Sequence, residues 1–219
     1  MPPAFRAFLA LLTSALLLST PALPFDTPLS NQAVREAYFL GQRTDQKIVD
    51  FFSGYTRHLP FPKAGPYVSE IQLLTPYAQV VELSHQNTAG YSAQQAWKDY
   101  QDRGDLIRVR VRIEFTPTYT AVASQQKSKR STEGDRFTPR ALDFWKDNDF
   151  DYVLREGEKT IEPNSVDGQP IYSEDGAFVG AYVWLTYPAE GVDSVRSEVE
   201  VFAPGGQHVV SSFDLSSLR

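Results

Sequence analysis

Three arginines, Arg108, Arg110 and Arg112, alternate with Val109, Val111, Ile113 and Phe115 in the run RVRVRIEF. Strict alternation marks a strand with one buried face, so the guanidinium groups project together, spaced by about 6.5 to 7 Å. Left unpaired, such a row suits an anionic ligand or a lipid headgroup. With acids opposite, it becomes a solvated charge ladder, each cross-strand pair contributing a few tenths to about 1 kcal/mol. Glu198 and Glu200, on the wet face of another alternating run, supply such acids, and the ladder is the expectation. Convergence of all three arginines on a concave pocket without a carboxylate would mark the binding site instead.

Two other groupings bear on binding. Tyr38–Phe39 and Phe51–Phe52 are adjacent aromatics in segments of helical period, and adjacent helical residues diverge by about 100°. Both helices are expected to pack on a sheet; the alternative is that Phe39 and Phe52 stay exposed and dock a partner. Asp147, Asp149 and Asp151, with Glu158, match positions 1, 3, 5 and 12 of a calcium loop. Tyr152 stands where that loop needs glycine and Arg155 where it needs a ligand, so the match to calcium is weak and no other cofactor is indicated.

Covalent and metal chemistry find little support. Cysteine is absent, no G-x-S-x-G elbow exists, and the three histidines, His58, His85 and His208, form no i, i+3 or i+4 pair. The densest candidate is VVELSHQN, with Glu82, Ser84 and His85. Read as a strand, this segment turns Ser84 and His85 to opposite sides and leaves Glu82 beside Ser84. There is no P-loop spacing around Gly205–Gly206.

The elements that must carry these groups are set by period and punctuation. Residues 23–62 form an arm and a helical pair: a helix capped at Ser30 or Asn31 and stopped by Gly41, then one from Thr44 with Ile48, Phe51, Phe52 and Tyr55 on one stripe. Residues 63–123 mix strands and helix: two short strands broken at Thr75–Pro76, a helix capped by Ser92, and the arginine strand. Residues 124–140 read as an exposed loop. Residues 141–219 form a β-sheet region, punctuated by Asp167–Gly168 and Asp175–Gly176 as hairpin turns. Its last three strands are expected to form a meander, with the apolar run Ala181–Leu185 covered on both faces and Trp184 in the core. The fold class is therefore α+β: a short N-terminal helical pair with a mainly antiparallel β-sandwich, residues 63–219 forming one domain.

Composition sets the class of function. The 219-residue chain has net charge −6 and 13% aromatic residues, which argues against disorder and against general nucleic-acid binding. Residues 1–22 read as a signal peptide, with Arg6, the apolar run from Ala7 to Thr20, and cleavage near Ala22. The run falls short of the ~20 residues a membrane span needs, and no later run reaches that length. The layout is similar, in composition rather than by motif, to that of Gram-negative envelope proteins. The expectation is an exported envelope protein, periplasmic or extracellular, that acts by binding or assembly with an envelope partner; composition does not fix its oligomeric state. Two alternatives stand beside it. One is an exported hydrolase with a site near Glu82–His85 and the 147–151 acids. The other is a carbohydrate-binding sandwich displaying Tyr182, Trp184 and Tyr187.

Overall fold

Helix α1 (Asn31–Gly41) begins where Ser30 Oγ accepts a hydrogen bond from the Ala33 amide, and α2 (Gln46–Tyr55) where the Asp45 carboxylate accepts from Lys47. Each cap satisfies an amide that helical geometry leaves without an internal partner. The computed structural model describes residues 24–61, 65–117, 145, 150–203 and 207–219. After the short strand β1 (Thr56–His58) come β2 (Pro66–Leu74), α3 (Pro76–Gln86), α4 (Ala93–Arg103) and the arginine strand β3 (Leu106–Phe115). Strands β4 (Asp151–Glu156), β5 (Lys159–Ile161), β6 (Ser165–Tyr172), β7 (Phe178–Pro188), β8 (Arg196–Phe202) and β9 (His208–Asp214) complete the order.

The strands form two antiparallel sheets, one ordered β1-β2-β3-β7-β6 and the other β5-β4-β8-β9. Val109, Val111, Ile113, Val183 and Leu185 of the larger sheet join Leu154, Val199, Val201 and Phe213 of the smaller in one core. The α+β class with antiparallel sheets thus agrees with the alternating patterns. Among the described residues, no helix is long and apolar enough to cross a membrane.

Three local expectations need correction. Residues 76–86 are helix, not strand: Thr75 Oγ1 accepts from the Ala78 amide at 3.2 Å, and Pro76 occupies the first helical turn, where its missing N–H costs nothing. The expected three-strand meander divides between sheets. β7 lies between β3 and β6 in the larger sheet, and only β8 and β9 pair as neighbours in the smaller. Asp167–Gly168 is no turn: Gly168 sits within β6 opposite Val183, and a Cβ there would fall 1.8 Å from the Trp145 indole. Asp175–Gly176 does turn the β6–β7 hairpin, with Gly176 at φ +79°.

Gly41 ends α1 as expected, but for a packing reason. A Cβ at this position would meet the Val81 carbonyl oxygen at 2.4 Å, so glycine lets α1 and α3 approach closely. α1 packs mainly on α3 and α4, so the two N-terminal helices are neighbours in sequence more than in space. The second apolar cluster, including Val34, Ala37, Val80, Val81 and Tyr100, binds these helices into a layer. Gln79 fastens that layer to the larger sheet by donating from Nε2 to the carbonyls of Leu74 (3.1 Å) and Leu106 (2.6 Å). Arg219 ties in the other end: its guanidinium lies 4.7 Å over the Tyr77 ring and pairs with Asp26 and Glu36.

Candidate functional site

A single irregularity in β2 decides which residues face the helices. The register against β3 shifts between Val68 and Glu70, with Val68 opposite Ile113 and Glu70 opposite Arg112. One extra residue, Ser69, flips the side-chain phase of the strand beyond it, as a β-bulge must. Val68, Ile71 and Leu73 are all fully buried, whereas Glu70 and Gln72 join the arginine side. The sequence shows the break as apolar spacing of three and then two in VSEIQL.

Across the larger sheet the polar face then forms rows. Thr56 of β1 stands opposite Gln72, Gln72 opposite Arg110, and Arg110 opposite Trp184. One step along, His58, Glu70, Arg112 and Tyr182 form the next row. On the remaining side α3 contributes Glu82 and His85, three residues apart and hence on one helical face. Ser84 points the other way, buried against Gly41. The strand-based expectation, with Glu82 beside Ser84 and His85 apart from it, is therefore reversed. The i, i+3, i+4, i+7 burial of Tyr77, Val80, Val81 and Ser84 is the sequence signal that shows the helix.

These elements enclose an open groove of about 400 Å³ between the sheet and α2 and α3. At its base Arg110 bridges two carboxylates, donating from Nη2 to Glu70 Oε1 at 3.2 Å and from Nη1 to Glu82 Oε1 at 3.3 Å. Both acid side chains are 14% exposed and Arg110 is 22% exposed. His58 Nδ1 lies 3.5 Å from the other Glu70 oxygen. Burial pushes the Glu82 carboxyl above its ordinary value, and the charges of Arg110, Arg108 and Arg103 offset this only in part. His85 Nδ1 is 3.0 Å from the Gly41 carbonyl, which only accepts; in neutral His85 that nitrogen carries the proton and Nε2 is the acceptor.

Gln72 lies in the same groove at 4% exposure. Its Nε2 donates to Thr56 Oγ1 at 3.3 Å, while its Oε1 has no donor among the described residues. A buried acceptor left unpaired costs about 1–3 kcal/mol, a penalty relieved by any hydroxyl or water that reaches it.

The three arginines do not converge on a free anion site. Arg108 lies 4.2 Å over the Trp184 ring, Arg110 holds its two carboxylates, and Arg112 pairs with Glu114 at 2.6 Å. Their acids come from β2, α3 and β3. Glu198 and Glu200 belong to the other sheet, where Glu200 pairs with Arg155 and His208 and Glu198 stands opposite Arg155. Trp184 is half-buried on the arginine face, with Tyr182 beside it, so β7 has a polar-side covering and not a second core. Tyr187 is fully buried on the opposite side, and the three-aromatic platform of Tyr182, Trp184 and Tyr187 does not form.

The helix aromatics separate. Phe39 is 59% exposed, whereas Phe52 is partly buried, packed against both clusters, and lines the groove. Asp147 and Asp149, the loop 124–140 and residues 1–23 lie outside the described residues. Asp151 is exposed at the start of β4. Among the described residues no group of three potential metal ligands gathers. No family model matches the chain, and no curated protein matches it in sequence.

Proposed function

We propose that the chain is an exported protein, periplasmic or extracellular, that acts by binding rather than by catalysis, with the groove between α2, α3 and the larger sheet as the ligand seat. The observation that supports this most is the Glu70–Arg110–Glu82 bridge beside the unpartnered Gln72 oxygen. The bridge engages both carboxylates with one guanidinium and holds the side chains in place, a preorganised polar floor under an open mouth. Export rests on residues 1–22. A full-length chain tagged at its carboxy terminus and produced in a Gram-negative host is expected in the periplasmic fraction with Leu23 as its first residue. For binding, amide spectra of the mature chain titrated with small-molecule extract of the host envelope are expected to shift around Glu70, Gln72 and Glu82. Shifts confined to the smaller sheet would refute the groove as the seat.

One observation favours a hydrolase as a second reading. Glu82, held toward its protonated form, shares the groove with His85, whose Nδ1 faces the Gly41 carbonyl and whose Nε2 is the acceptor in the neutral ring. The readings separate on turnover. Consumption of an extract component by the parent chain, abolished in Glu82→Gln, establishes the enzyme; saturable binding without consumption establishes the binder.

A further inference from the structure

We infer that the groove's ligand is a neutral, hydroxyl-rich molecule of mono- to disaccharide size, an inference that rests on the binding reading above. Charge comes first. Glu70 and Glu82 are both engaged by Arg110, so a cationic ligand would have to compete with a guanidinium held by two partners. An anion entering the groove would find Arg110 already flanked by two carboxylates. One guanidinium against two carboxylates leaves an excess negative charge that disfavours an anion, and the carboxylates a cation would need already hold Arg110. Burying an unmatched charge costs several kcal/mol.

Beside the ion pairs the groove carries neutral polar groups that lack partners among the described residues. Gln72 offers an oxygen without a donor, Gln86 an exposed amide on α3, and His85 an imidazole acceptor. Amides and imidazoles present donors and acceptors side by side, the complement of a hydroxyl, which does both at one atom. Phe52 and Val49 supply an apolar wall beside them, suited to the C–H face of a sugar ring. The volume of about 400 Å³ falls within the range of small-ligand sites and accommodates one or two pyranose rings. This seat is distinct from the outer aromatic platform expected of a sugar-binding sandwich, which Tyr187 cannot join.

The test is calorimetric titration of the mature chain with four neutral disaccharides (maltose, cellobiose, trehalose and chitobiose), with putrescine and inorganic phosphate as charged probes. At least one disaccharide is expected to bind saturably below about 10 mM, the range of a weak but specific site. Gln72→Leu is expected to weaken it about tenfold, the effect of one hydrogen bond to a buried acceptor. Gln86→Leu, on the exposed surface of α3, is the second variant should Gln72→Leu fail to fold, and Ser212→Ala on the smaller sheet is the control. Disaccharide binding untouched by Gln72→Leu or Gln86→Leu overturns the assignment to the groove. Absence of saturable binding by all four disaccharides overturns the ligand class. If putrescine or phosphate then binds and either glutamine variant weakens it, the binding reading survives and only the ligand class falls.

Discussion

Each sheet turns an outward face of arginine, glutamate and histidine away from the shared core, yet the same residue types meet opposite conditions. On the larger sheet the helical layer covers the charges, and Arg110, Glu70 and Glu82 lie mostly out of water. On the smaller sheet Arg155 and His208 stand 40% and 47% exposed around Glu200, itself 9% exposed. The acids titrate accordingly. Burial raises Glu82, whereas the hydrogen bond from Arg155 lowers Glu200. An arginine beside a carboxylate therefore does not by itself fix the direction of its shift; the balance of desolvation against the arginine's hydrogen bond does. The covered face stores electrostatic cost, and stored cost is where binding can gain.

The largest test of this difference is removal of each central arginine. Arg110→Met leaves two buried carboxylates without a cation and is expected to destabilise the fold by about 3–5 kcal/mol in urea unfolding. Arg155→Met is expected to leave the midpoint close to that of the parent, because solvent replaces what the partner supplied. Equal losses at the two positions would erase the contrast.

Acidity sharpens the same comparison, since the two acids pull stability in opposite directions. Glu82 has a folded pKa above the ordinary 4.5, so its contribution is present in full below that value and is lost as pH rises through the raised one. Glu200 has a depressed pKa, so its contribution is present above 4.5 and is lost as pH falls through the lowered one. Unfolding free energies measured from about pH 3 to 8 are therefore expected to change slope in opposite senses in Glu82→Gln and Glu200→Gln, each relative to the parent. A parallel change would show that Glu82 behaves as an ordinary surface carboxylate.

A smaller effect concerns the aromatic backing found on the larger sheet. Arg108 sits 4.2 Å over Trp184 and is itself half-buried, and the desolvation holds the pKa of its guanidinium below the ordinary value. A double-mutant cycle of Arg108→Gln and Trp184→Leu is expected to return about 1 kcal/mol of coupling. Coupling near zero would reduce the arginine–aromatic rows to side-by-side packing.

Much of this architecture is written in local patterns. Alternation in β3 names the buried valines correctly, and Ser30 and Ser92 cap α1 and α4 as their chemistry requires. The candidate site is harder to read because two features hide it. Pro76 resembles a strand breaker, when Thr75–Pro76 is equally a cap with a first-turn proline. Ser69 disguises the phase of β2, so Glu70 and Gln72 carry no visible link to Arg110. The partner of an arginine on a sheet is set by strand order, which no local pattern encodes. Thus Glu198 and Glu200 match Arg110 by type, while the fold gives them Arg155. Gly168 misleads for a related reason: its freedom serves the indole of Trp145, a contact between residues far apart in the chain.

The finest distinction between the two faces is screening. Near 0.1 M salt the Debye length is about 10 Å, and near 1 M it falls to about 3 Å, which weakens exposed pairs and leaves desolvated ones largely intact. A double-mutant cycle on Arg155 and Glu200 is accordingly expected to lose its already small coupling as salt rises over this range. The same cycle on Arg110 and Glu82 is expected to keep most of its coupling, because these side chains are only 22% and 14% exposed. If the Arg110 coupling collapsed in parallel, the groove would have to be wet to its floor. Gln72 would then find its donor in bulk water, and the pull on a hydroxyl-bearing ligand would vanish with it.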